Sequence, residues 1–243
     1  MSESDAALAW RLADEAGRLL IDLQASGRFE GKALGVEGDR IANAYLMDAL
    51  RRARPFDAIL SEEEKDDLSR LAVDRVWIID PLDGTREYGE GRDDWAVHVA
   101  LSVRGEVCEG AVALPALGLT LGSAHPPAVP PSRGKLRILV SRTRPPAEAL
   151  SVAEKLDADL VPMGSAGAKA MAVVRGVADI YLHAGGQYEW DNAAPVAVAL
   201  ASGLHASRID GQSLTYNNPD PYLPDLLICQ EALVERVMSA LRR

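Results

Sequence analysis

The run Trp77-Ile78-Ile79-Asp80-Pro81-Leu82-Asp83-Gly84-Thr85 constrains the fold of this 243-residue chain more than any other stretch. Val76 to Ile79 is branched and aromatic, reads as a buried strand, and runs straight into two aspartates. Pro81 fixes one φ angle and Gly84 permits a tight bend, so the two carboxylates are held close together. Their repulsion is costly unless a cation neutralises it. A solvated acidic turn is the competing reading, because Asp-Gly pairs are common in turns.

Hard cations such as magnesium take carboxylate, carbonyl, hydroxyl and water oxygens, and this turn offers Asp80, Asp83, the Leu82 carbonyl and the Thr85 hydroxyl. If Gly84 and Thr85 open a helix, their free N–H groups can donate to phosphate oxygens. Two further acidic elements stand elsewhere. Ser61-Glu62-Glu63-Glu64 follows a strand expected at Asp57–Ser61 and reads as an acidic helix start, either solvated or reaching the neighbouring strand end. In Glu189-Trp190-Asp191-Asn192-Ala193-Ala194-Pro195, Asp191 is either a plain N-cap or a third carboxylate for the same point.

A first helix is expected from Ser4 to Ser26, on the spacing of Leu8, Leu12, Ala16, Leu19 and Leu23. Gly31 to Gly38 is too rich in glycine for an uninterrupted helix, so the second is placed at Asp39–Arg52. Trp95–Val103 and Val107–Leu114 form a hairpin, extended by Gly118–Gly122, and the proline-rich stretch from His125 to Gly134 breaks regular structure. Beyond it come a strand at Leu136–Val140, helices at Ala147–Leu156 and Gly164–Arg175, a strand at Ala178–Tyr181 and a helix at Asn192–Ser202. An irregular Gly203–Asp225, a strand at Leu226–Cys229 and a helix from Glu231 complete the chain. The expected organisation is an α/β fold in two halves: 1–125, α+β and carrying the acidic turn, and 135–243, α/β and supplying Asp191.

A formal charge of -10 argues against polymeric nucleic acid and anionic membrane as partners. The start Met1-Ser2-Glu3-Ser4-Asp5 lacks a secretion signal, which gives cytoplasmic residence as the expectation. Cys108 and Cys229 lie in mostly apolar stretches and are expected to be buried thiols. His98, His125, His183 and His205 are too scattered for a metal cluster or a catalytic triad, so each reads as structural or solvated.

Taken together, Glu62-Glu63, the Trp77–Thr85 run and Trp190-Asp191-Asn192-Ala193-Ala194 resemble the inositol monophosphatase superfamily. Asp83-Gly84-Thr85-Arg86-Glu87-Tyr88, Gly38-Asp39-Arg40 and Asp93-Asp94-Trp95-Ala96-Val97-His98 are most similar to its actinobacterial CysQ-type 3′-phosphoadenosine 5′-phosphate phosphatase branch. The acidic residue that touches inositol in inositol monophosphatases has no counterpart in His183-Ala184-Gly185.

The resemblance implies an αβαβα layered sandwich and a magnesium-dependent phosphomonoesterase acting on a nucleotide bisphosphate. Glu62, Asp80 and the Leu82 carbonyl would hold one Mg2+, and Asp80, Asp83 and Asp191 a second. Asp39 with Glu62 would lie near a third, weaker ion, and Thr85 would orient the water. A homodimer is implied too. Gly84, Thr85 and Ser165 are the expected phosphate donors, and Arg86, Arg142 and Lys169 the expected substrate contacts. Rival readings are an inositol-1-phosphate or fructose-1,6-bisphosphate phosphatase, and a non-catalytic metal-binding regulator.

Overall fold

Alternation along the strands decides how the layers stack. In the computed structural model, which describes residues 3–242, β1 (Ala58–Ser61), β2 (Arg75–Asp83), β3 (Ala96–Val103), β4 (Glu106–Leu114) and β5 (Leu119–Gly122) form one sheet in chain order. Trp77, Ile79, Val97, Val99 and Leu101 point to one face, against α1 (Asp5–Ala25) and α2 (Gly31–Ala53). Val76, Ile78, Ala96 and Ala100 point to the other, against α5 (Ala166–Val174) and α6 (Glu189–Ala201).

A second sheet is built from β6 (Arg137–Ser141), β7 (Asp159–Met163), β8 (Ile180–Tyr188), β9 (Leu204–Ser207) and β10 (Tyr222–Gln230), in the order β7-β6-β8-β10-β9. Tyr181, Leu226 and Ile228 close on α5 and α6 from their far side. Ile180, Leu182 and Leu227 face α4 (Ala147–Leu156) and α7 (Val234–Leu241). The order is therefore helices, sheet, helices, sheet, helices. Every residue of α5 is buried, as a helix sandwiched between two sheets requires.

The glycine-rich segment departs from expectation, since α2 is helical from Gly31 onward. The reason is close packing. A Cβ on Gly35 would lie 2.6 Å from Thr85 Cγ2, and one on Gly38 2.9 Å from Leu82 Cδ2 and 3.0 Å from Tyr88 Cε1. These glycines lose helix propensity but let α2 lie directly on the acidic turn. Gly38→Ala is accordingly expected to destabilise the fold by about 1–2 kcal/mol, the overpacking cost exceeding alanine's helical advantage. Urea unfolding measures this, and a gain in stability would show that Leu82 and Tyr88 yield freely.

Other differences have local causes. Leu20, not Leu19, carries the buried stripe of α1. Glu62 to Glu64 form a turn rather than a helix start. The strands β7 and β9, not expected from the sequence, are edges of their sheet, where Pro162 and short length are tolerated. Cys229 is buried as expected, whereas Cys108 lies on the exposed alternation at the start of β4. Pro195 lies inside α6, beyond its first turn, and cannot donate to the Asp191 carbonyl.

Candidate active site

The acidic turn is built by a bulge. Asp80 pairs with His98 and Asp83 with Ala96, so three steps along β2 match two along β3. The extra residue reverses the alternation and lets both carboxylates turn to one side. Asp80 Oδ1 accepts from Leu82 N at 3.0 Å across Pro81, an Asx-type turn that fixes its rotamer. Gly84 then takes φ +91° and opens the short helix α3 (Thr85–Gly89).

Asp191 arrives from the opposite half. It is not the N-cap of α6 but its third residue, and Asp191 Oδ2 accepts from Tyr188 N at 2.6 Å. One carboxylate oxygen each from Asp80, Asp83 and Asp191 lie within 4.8 Å of one another. Such a group of hard oxygen donors can hold a metal ion.

Asp83 also receives the start of α5. Ser165 Oγ donates to its Oδ2 at 2.5 Å, Gly167 N to Oδ2 at 2.6 Å and Ala166 N to Oδ1 at 3.1 Å. Burial pushes the Asp83 carboxyl up, but His98 beside it, then Ser165 and the Gly167 N–H, outweigh this and hold it at about 2. The neighbouring carboxyls go the other way. Burial, then Glu62, Asp83 and Asp191, push Asp80 well above its usual range. Burial and Asp83 raise Asp191 to about 6, and enclosure plus the charges of Asp191 and Asp83 raise Glu62 to about 7. Burial, Glu63 and Glu62 raise Asp39 to about 7. A set in which four of five acids are pushed toward protonation is short of positive charge, which is the electrostatic mark of a cation site.

The remaining expected residues divide. Glu62 follows β1, where its N–H donates to the Ile79 carbonyl at 3.3 Å, and its carboxyl reaches Asp80. Thr85 Oγ1 lies 3.2 Å from the Leu82 carbonyl and 3.4 Å from Asp39 Oδ1, so those three come together. Gly84, Thr85, Ser165, Arg86, Arg142 and Lys169 all line a cleft of about 430 Å³ with Asp83 and Asp191.

The cations there are not free. Arg142 donates to Glu87 and Glu90 at 2.7 Å each, and Arg86 lies 3.5 Å from Glu90. Lys169 is buried, and its Nζ donates to the Gly164 and Ser165 carbonyls at 3.0 and 2.6 Å. Ser165 Oγ, expected at phosphate, is given to Asp83.

Sequence reasoning missed His98 as part of the site. Its signal was an imidazole on the small-residue face of a strand, between Ala96 and Ala100, paired with the acidic turn. Gln187 and Tyr181, which line the cleft and hydrogen-bond to each other at 2.8 Å, had no such signal.

The family model described as "Inositol monophosphatase family" matches residues 6–243. The 3′-phosphoadenosine 5′-phosphate phosphatase of Mycobacterium tuberculosis (strain CDC 1551 / Oshkosh) is 53% identical over 242 residues, covering 93% of this chain and 89% of that protein. Among solved structures, CysQ from Bacteroides thetaiotaomicron superposes with a TM-score of 0.80 at 22% identity, over 93% of this chain and 97% of that one. Inositol monophosphatase-II from Staphylococcus aureus MSSA476 superposes with a TM-score of 0.81 at 18% identity, over 95% and 92%. At such identities these two likenesses speak for the fold alone.

Proposed function

The chain belongs to the inositol monophosphatase family, and on that premise we propose that it is a magnesium-dependent phosphomonoesterase that removes the 3′-phosphate of 3′-phosphoadenosine 5′-phosphate, giving AMP and inorganic phosphate. The site is supported by the convergence of Asp80, Asp83 and Asp191 on one point, at a cleft that Asp83 and Asp191 line. The substrate is carried by the 53% identity to the mycobacterial phosphatase of that name. 3′-Phosphoadenosine 5′-phosphosulfate, with the same reacting group, is proposed as a second substrate.

The donor set fits magnesium: the three clustered groups are carboxylates, and two of them, Asp80 and Asp191, hold their protons well above the ordinary carboxylate range for want of positive charge. Asp80, Asp83 and Asp191 would hold one ion, Asp80, Glu62 and the Leu82 carbonyl another, with Asp39 and Glu62 beside a third. Bound there, magnesium supplies charge neutralisation for the phosphate and leaving oxygen and lowers the pKa of the attacking water.

The chain's own groups do the rest. Thr85 Oγ1 gives its proton to the Leu82 carbonyl or to Asp39 and offers a lone pair to a water proton. Asp39, whose carboxyl lies within reach of Thr85 Oγ1, and Glu62, which reaches Asp80, stand beside that water as carboxylates able to accept a hydrogen bond from it. The Gly84 and Thr85 N–H groups, at the opening of α3 in the cleft wall, would donate to the phosphate. Ser165, whose Oγ donates to Asp83, would add a hydrogen bond to the phosphate beside it. Arg86, Arg142 and Lys169 are kept as contacts for the rest of the nucleotide, Arg142 by exchanging a glutamate for the second phosphate.

Among the described residues no helix is long and apolar enough to cross a membrane. Cytoplasmic residence and a homodimer belong to this proposal.

Parallel measurement of kcat/KM on 3′-phosphoadenosine 5′-phosphate, inositol 1-phosphate and fructose 1,6-bisphosphate tests the substrate. The nucleotide is expected to lead by at least about 10-fold, because groups arranged for a second phosphate are left unpaired by a simpler ester. A lead for either sugar phosphate would overturn the substrate and leave the metal chemistry standing. Absence of phosphatase activity with magnesium would favour the regulatory reading.

A further inference from the structure

His98 lies on β3 with none of its side chain exposed. Its Nδ1 is 2.9 Å from the carbonyl oxygen of Trp190, and its Nε2 is 3.2 Å from Asp83 Oδ2. A carbonyl can only accept, so Nδ1 carries a proton and the ring orientation is fixed from that side. Asp83 belongs to the strand end of the first sheet, whereas Trp190 immediately precedes Asp191 in the first turn of α6. The imidazole therefore spans the joint at which carboxylates from the two halves of the chain meet.

Two observations separate this ring from a core filler. Burying an imidazole costs more than burying a leucine of similar size, and here only the contacts to Trp190 and Asp83 offset that cost. The surroundings are also cut to fit the ring. A Cβ on Gly167 would overlap His98 Nε2, so α5 passes at its only tolerable distance, and the same glycine donates its N–H to Asp83. Nε2 meets Asp83 without the alignment of a good hydrogen bond, which makes the contact one of charge and shape.

We infer that His98 is a positioning residue that holds Asp83 and the Trp190–Asp191 segment at the separation where their carboxylates share a cation. The inference rests on the reading of Asp83 and Asp191 as magnesium ligands. Groups that orient metal ligands from behind typically set affinity by about 10–100-fold. Its consequence is specific: losing the ring weakens the ion without touching the substrate.

Titration calorimetry of Mg2+ into substrate-free protein tests it, on the wild type, His98→Asn and Gly167→Ala. Asparagine keeps an amide donor near the Nδ1 position and withdraws the contact to Asp83. The alanine leaves the imidazole in place chemically but displaces it. Both are expected to bind Mg2+ about 10–100-fold more weakly than wild type. Steady-state kinetics should then show half-maximal activity at correspondingly higher Mg2+, kcat largely restored at saturation, and a KM for 3′-phosphoadenosine 5′-phosphate within about 2-fold of wild type, well inside that range. If folded His98→Asn binds Mg2+ as the wild type does, or shows only a lowered Tm, the positioning role is overturned. Failure of the wild type itself to bind Mg2+ would instead remove the metal reading on which it stands.

Discussion

Asp191→Asn is expected to lower kcat by more than about 100-fold at saturating Mg2+, beyond what loss of an outer hydrogen-bond partner produces. The substitution is nearly isosteric, and the asparagine carbonyl can still accept from Tyr188 N, so the first turn of α6 keeps its reciprocal cap. What disappears is one negative charge from a group of three carboxylates within 4.8 Å. The variant should therefore separate activity from stability. Without metal it should melt at a higher temperature than the wild type, because the burial cost and the repulsion from Asp83 that raise Asp191 to about 6, and its own contribution to the rise of Asp80, are relieved. With magnesium the order should reverse, since only the wild type gains from binding. Near-normal turnover at saturating Mg2+ would exclude Asp191 from the metal site, whatever the melting temperatures.

The same carboxylates explain which parts of this molecule could be read in advance. The Asp80–Thr85 turn was legible because its chemistry is compressed into consecutive residues whose types fix the backbone as well as the donors. Asp191 was legible only through resemblance, because alone it looks like a helix cap, and it does accept a capping hydrogen bond. Gly35 and Gly38 were misread because propensity is local, whereas their purpose is contact with Thr85, Leu82 and Tyr88 far along the chain. The internal partners of the cleft's cations were invisible for a similar reason. Arginine and lysine look available until Glu87, Glu90 and the Gly164 and Ser165 carbonyls are placed beside them. His98 was overlooked as an active-site neighbour because a lone strand histidine has no spacing signature. Only the register that sets it opposite Asp80, and the arrival of Trp190, give it a role.

Stability without metal should fall as pH rises from about 4 to about 8, and magnesium should reverse this. Asp191, Asp39 and Glu62 have folded-state carboxyls at about 6, 7 and 7, against ordinary values of 3.8, 3.8 and 4.5. Between those limits the folded protein holds more protons than the unfolded chain, so each rise in pH favours unfolding. Below about 4 both states are protonated and the penalty vanishes; above about 7 both are ionised and it is complete. His98, raised by Asp83 against the effect of burial, adds in the same direction, since stability from a raised imidazole is lost as pH climbs through its folded value. Asp83 acts oppositely: held at about 2, it stabilises above 3.8 and fails only in stronger acid. Magnesium competes with the same protons, so its stabilisation should be small at pH 5 and large at pH 8. At about 100 times its dissociation constant a ligand contributes about 2.7 kcal/mol, which for a chain of this length is a rise of about 5–10 °C in Tm. Thermal melts at the two pH values, each with EDTA and with excess Mg2+, measure all four corners. A metal-free Tm that stays level or rises between pH 5 and pH 8 would mean that burial and mutual repulsion do not raise these carboxyls in the folded state, and the electrostatic case for a cation among them would fail with it.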